Sequence, residues 1–127
     1  MPLMRIRLEL ARISAFPSGS SRHGYEFIAP VTPSGQIDSA RWHGLRDRCT
    51  VRRFWGEEAE ERGFLRHAEG GWSFDYGCAG RADDEPFFKL DQQMIFPGAY
   101  VTVRDHDGVQ RPFKIVEVCS AMADSAA

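Results

Sequence analysis

The sequence predicts an all-β fold, a small barrel or sandwich of about seven short antiparallel strands with one short helix. Three observations predict it. Apolar residues alternate with polar ones in short runs, turn residues interrupt the chain roughly every 8–12 residues, and only one segment opens like a helix.

Met4, Ile6, Leu8 and Leu10 alternate with Arg5, Arg7 and Glu9, the pattern of a half-buried strand. Phe16 through Gly24 is rich in Pro, Ser and Gly and predicts a loop. Tyr25, Phe27 and Ala29 resume the alternation until Pro30, and Pro33-Ser34-Gly35 turns the chain. Asp38 offers a carboxylate to the open amides of a first helical turn, so a short helix is expected to run to about Arg46. β-Branched and aromatic residues return from Cys49 to Trp55, and Gly56 with the acidic run 57–61 ends that strand. Residues 63–67 and 72–76 form two strands joined at Glu69-Gly70-Gly71, a hairpin signal. Asp83-Asp84-Glu85-Pro86 is a loop and Phe87–Leu90 a short strand or turn. Tyr100–Arg104 and Phe113–Cys119 flank Asp105-His106-Asp107-Gly108, a second hairpin. Ser120–Ala127 is small and polar and is expected to be a disordered tail, leaving residues 1–119 as a single β domain.

With 127 residues, 43% of them hydrophobic and 15 aromatic, the chain is sized for one core and too aromatic for a solvated coil. No apolar run reaches the roughly 18 residues that span a bilayer, and the charged start lacks the apolar segment of a secretory signal. Cys49, Cys78 and Cys119 are odd in number and widely spaced, which predicts reduced thiols. These features point to the cytoplasm and away from a membrane. Arginine outnumbers lysine 14 to 2, as expected of a GC-rich bacterial genome. Charge is uneven along the chain. Residues 1–56 hold nine basic and four acidic side chains, residues 57–127 seven and 14.

No constellation of catalytic residues stands out. There is no nucleophile elbow, P-loop or dinucleotide fingerprint, so no cofactor is expected. His23, His43, His67, His106 and the three cysteines fall in no zinc spacing, and no metal site is expected. Asp105–Gly108 lacks the later ligands of a calcium loop. Cys49 lies among arginines that favour a thiolate, but its strand pattern predicts a buried thiol. Trp72, Phe74 and Tyr76 share one strand face by parity, as core residues do.

The segment 41–55 is the most suggestive. It carries five arginines, one aspartate and the aromatics Trp42, Phe54 and Trp55. Guanidinium forks bind phosphates and aromatic faces stack on bases, so Trp42, Arg46, Arg48, Arg52, Arg53 and Trp55 are the candidate binding residues. The competing reading buries the aromatics and pairs the arginines with the acidic runs 57–61 and 83–85. The net charge of −2 disfavours nucleic acid as the partner.

The runs Arg22–Phe27, Cys49–Trp55, Gly71–Tyr76 and Pro97–Val103, with Asp107-Gly108 and Phe113–Val118, resemble a group of small uncharacterised alphaproteobacterial proteins, a domain of unknown function. The resemblance covers residues 3–119 and implies a bacterial standalone domain, with no catalytic residues to carry over. The expectation is therefore a non-catalytic cytoplasmic binding or interaction module for a protein or a small anionic ligand. One alternative is a binder of anions or single-stranded nucleic acid through segment 41–55. A second is a small β-barrel enzyme with a pocket lined by Trp72, Tyr76 and carboxylates 83–85.

Overall fold

Alternation in β1 (Leu3–Leu10) puts Ile6, Leu8 and Leu10 on one face and Arg5, Arg7 and Glu9 on the other; the first three are buried. The computed structural model describes residues 3–68, 71–75, 85–88, 95–104 and 110–120. Seven further strands follow: β2 (Ser20–Pro30), β3 (Thr50–Trp55), β4 (Glu58–Ala68), β5 (Gly71–Asp75), β6 (Glu85–Phe88), β7 (Tyr100–Arg104) and β8 (Gln110–Ser120). Each pairs antiparallel with its neighbours in sequence, and β8 returns to β1, closing an up-and-down barrel.

Side chains fill the barrel. Tyr25, Phe27, Phe74 and Phe113 are fully buried, with Tyr25 and Phe74 ring centroids 5.0 Å apart and Phe27 and Phe74 5.3 Å apart. A short helix, α1 (Ser39–Leu45), and a 3-10 turn at Arg46–Arg48 connect β2 to β3. The Asp38 carboxylate caps α1, accepting from the Arg41 amide at 3.1 Å. The helix packs onto the barrel through Trp42, whose indole donates to the Leu65 carbonyl at 3.0 Å and meets Trp72 edge-on at 5.5 Å.

The loop expected at 16–24 is shorter than its composition suggests, because Ser20–Gly24 belong to β2. The turn is made by Phe16–Gly19, with Gly19 at φ 75°. Of the acidic run 57–61, expected to separate strands, only Glu57 stays in the turn with Gly56; Glu58–Glu61 open β4. Its carboxylates are tolerated there because arginines face them from β3, with Arg53 opposite Glu61 in register. Pro112 also sits within a strand, its carbonyl accepting from the Ala11 amide at 3.0 Å. In β8 the register steps from Ile115 to Glu117 against Leu8 and Arg7, which leaves Val116 as an outward bulge. Val118 then packs against the core. Both expected hairpins pair as predicted, Ala68 with Gly71 and Arg104 with Gln110; the tip at 105–109 lies outside the described residues. So do Tyr76, Cys78, Asp83, Asp84 and residues 121–127, while Ser120 is the last residue of β8.

Candidate binding surface

Strand parity divides segment 41–55 into three environments. Val51 and Arg53 are buried on the barrel side with Trp55 half-buried beyond them, and Thr50, Arg52 and Phe54 take the outer side, where Phe54 is buried beneath arginines. Trp42, Arg46 and Arg48 belong to the helical connection on the opposite side of Cys49.

Arg53 is 5% exposed, near the mouth formed by the β3–β4 turn. Its guanidinium lies 3.4 Å from Glu61 and 3.7 Å from Glu58 and stacks over Trp55, 4.5 Å from the ring centroid. Arg111 stands over the same indole at 5.6 Å, and His23 meets it edge-on at 4.8 Å. Ser20 Oγ accepts from the Arg22 amide at 3.2 Å and shares a hydrogen bond with His23 Nδ1, 2.7 Å away, whose direction follows the imidazole tautomer. Burial first, and then the charges of Arg22 and Arg53, lower the His23 pKa below its ordinary 6.5. His23, Arg53 and Trp55 thus make a charged and aromatic layer above Tyr25, whose neighbour in register is Arg53.

On the outer face, Arg52 bridges Glu26 at 3.4 Å and Glu60 at 2.6 Å, and Arg7 joins the same chain through Glu26 at 3.7 Å. Arg7 and Arg52 both stand over the Phe54 ring, at 4.4 and 5.2 Å. The pairing of Arg52 and Arg53 with residues 58–61 is the competing arrangement the sequence allowed, and it accounts for both side chains structurally.

Cys49 is buried at the start of β3, and its backbone carbonyl accepts from the Leu65 amide at 2.8 Å. Burial, and secondarily Asp47, push the thiol up to about 11 from 9.0, so it is not a nucleophile at neutral pH. The unfolded chain loses this proton at lower pH than the folded one. Stability from Cys49 is therefore complete below pH 9 and declines as pH rises from 9 towards 11. A disulfide-exchange reagent at pH 8 should label Cys49 only after denaturant is added; rapid labelling of the native protein at Cys49 would contradict this burial.

Among the described residues, no three His, Cys, Asp or Glu side chains come together as a metal site. Trp72 is 2% exposed and packed on Trp42, while Tyr76, Asp83 and Asp84, its expected companions in the enzyme alternative, lie outside the described residues.

Two depressions share one wall, Phe64 of β4. The ring is 48% exposed in the middle of the sheet. On one side a hollow of about 340 Å³ is lined by Arg5, Glu26, Ile28, Thr50, Arg52 and Arg62. On the other, a groove of about 470 Å³ runs between β4 and the helical connection, over Trp42, with Arg46, Asp47, Arg66 and His67 around it. Five arginines and two carboxylates line the pair, in a protein of net charge −2. Glu60 and Asp75 reach in from the rim, holding Arg62 at 3.4 Å and Arg66 at 2.5 Å.

Of the six residues singled out from the sequence, this surface brings together Trp42, Arg46 and Arg52. It leaves out Arg53, buried near the mouth, Trp55, half-buried against the core beside it, and Arg48, exposed on the 3-10 turn. Sequence reasoning missed Phe64. The available signal was Arg62-x-Phe64-x-Arg66, an aromatic between two arginines on one strand face, once β4 is extended back to Glu58. Comparison with family models, curated proteins and solved structures gave no match.

Proposed function

We propose that this protein is a non-catalytic binding module, bacterial and cytoplasmic as its composition and resemblance suggest. Its recognition surface is the outer face around Phe64, and its ligand carries an anionic group beside a flat or apolar one. The observation that carries this reading is the position of Phe64. A large apolar ring left half exposed in a sheet, walled on both sides by arginine-lined depressions, joins an apolar contact to anion-binding forks. Support also comes from the interior, where packed side chains occupy the space that an enclosed-ligand carrier of this architecture keeps open. No helix among the described residues is long and apolar enough to cross a membrane.

Phenyl phosphate is the smallest probe with both groups. Calorimetric titration should show saturable binding to the wild-type chain, about tenfold weakened by Phe64→Ser. Thermal stability of the variant should stay within about 0.5 kcal/mol, because the ring is a surface group. Equal affinity for the two proteins, or absence of binding to either, would contradict the proposal.

A further inference from the structure

We infer that the ligand of the Phe64 surface is single-stranded nucleic acid, its bases stacking on Phe64 and its phosphates held by Arg62, Arg46 and Arg5. This rests on the binding surface proposed above. It goes further by naming the class of ligand, and it assigns to the nucleic-acid class a surface that net charge alone disfavours.

The first ground is the local charge. Net charge describes the whole chain, whereas a ligand meets one face, and this face sets five arginines against Glu26 and Asp47 in its lining and Glu60 and Asp75 at its rim, a local excess of one positive charge. Arg62 has 76% of its side chain exposed and is held by one ion pair, to Glu60 at 3.4 Å. Arg46 is exposed and lies over Trp42 at 5.9 Å. Exposed ion pairs of this kind contribute about 0–1 kcal/mol and exchange readily for a phosphate.

Spacing is the second ground. Outward residues on a strand repeat every two positions, about 7 Å, so Arg62, Phe64 and Arg66 form a row of fork, ring and fork along β4. An extended single strand repeats phosphate and base on a comparable scale. Two depressions on either side of one ring suit a chain ligand, whereas a lone small anion fills only one. A duplex keeps its bases stacked internally and has no free face to offer Phe64.

Third, the closed pairing disfavours an extended peptide. Every described strand has a partner on both sides, so peptide addition to an open sheet edge has no edge to use. Recognition on this face falls to side chains, and those on offer are guanidinium forks and an aromatic ring.

The test is fluorescence anisotropy with labelled dT12 and rU12, at salt concentrations from about 50 to 200 mM. Three phosphates neutralised on a single strand give log K falling with log salt at a slope of about −2. Phe64→Ala should weaken binding about tenfold, and Arg46→Ala and Arg62→Ala should each flatten the salt slope. Unchanged melting temperatures for the three variants show that folding is not the cause. Absence of oligonucleotide binding while phenyl phosphate still binds in a Phe64-dependent way would overturn the nucleic-acid assignment and leave the binding surface standing. The same holds if Phe64-dependent binding appears only with the acidic aromatic peptide Glu-Glu-Trp-Glu-Glu. Oligonucleotide binding that is indifferent to Phe64 would overturn the inference. Failure of every probe would remove both readings together.

Discussion

Gly24→Ala should destabilise the barrel by about 3 kcal/mol, the upper end of what overpacking costs, and lower the melting temperature by roughly 10 °C. Gly24 lies in β2 between Glu9 of β1 and Phe54 of β3. A Cβ placed there would stand 2.0 Å from the Leu8 carbonyl oxygen, 3.0 Å from its carbon and 3.1 Å from the Glu9 Cα. All three atoms are backbone, so no side chain can rotate away. Relief requires β1 and β2 to part, and in a closed barrel that strain passes to the neighbouring pairs. Gly44 provides the control. It lies in α1 with nothing within 4 Å of its would-be Cβ. Gly44→Ala should leave stability unchanged or raise it by up to about 0.5–1 kcal/mol. Urea denaturation of both variants checks the pair, and equal destabilisation would refute the close-approach explanation.

Arg53→Ala should cost about 2–3 kcal/mol, and Arg53→Met distinctly less. Removing one partner of a fully buried pair costs about 3–5 kcal/mol. Glu58 and Glu61 retain 68% and 37% of their side-chain exposure, so water compensates part of that loss. The remainder is packing, because the Arg53 stem and guanidinium cover Trp55 near the barrel mouth. Methionine restores much of that contact, whereas alanine leaves a gap beside Trp55. Arg52→Ala, on the outer face, should stay within about 1 kcal/mol. If Arg52 and Arg53 proved equally dispensable, Arg53 would not hold the structural role assigned to it here.

The fold was legible wherever one strand face met water and the other met the core. β1 shows this best, since apolar and charged residues alternate there from Met4 to Leu10. It was illegible where tertiary partners replaced solvent. The Glu-rich start of β4 reads as a turn until the arginines of β3 are seen opposite it. Ser20–Gly24 reads as a loop because its strand conformation depends on pairing that composition does not encode. Closure of the barrel is likewise a property of β8 meeting β1, more than 100 residues apart for pairs such as Arg5 and Cys119.

The site was half legible for a related reason. Segment 41–55 concentrates arginine and aromatic residues in sequence, but a strand sends neighbours to opposite faces. Arg52 and Arg53 therefore belong to different environments, one on the outer charge ladder and one under the mouth. The partners completing the outer surface come from β1 and β4, as Arg5, Arg62, Phe64 and Arg66. Phe64 looked like an ordinary strand residue because its exposure follows from parity with Leu65, which is buried.

The most direct test of the binding surface is an amide and indole chemical-shift map of the ¹⁵N-labelled chain titrated with phenyl phosphate. Saturable shifts are expected at Phe64, Arg62, Arg66 and the 3-10 turn, together with the Trp42 indole. Residues of the barrel mouth around Arg53 and Trp55 should stay still. Shifts confined to the mouth, or scattered over the surface without saturation, would contradict the assignment of this surface.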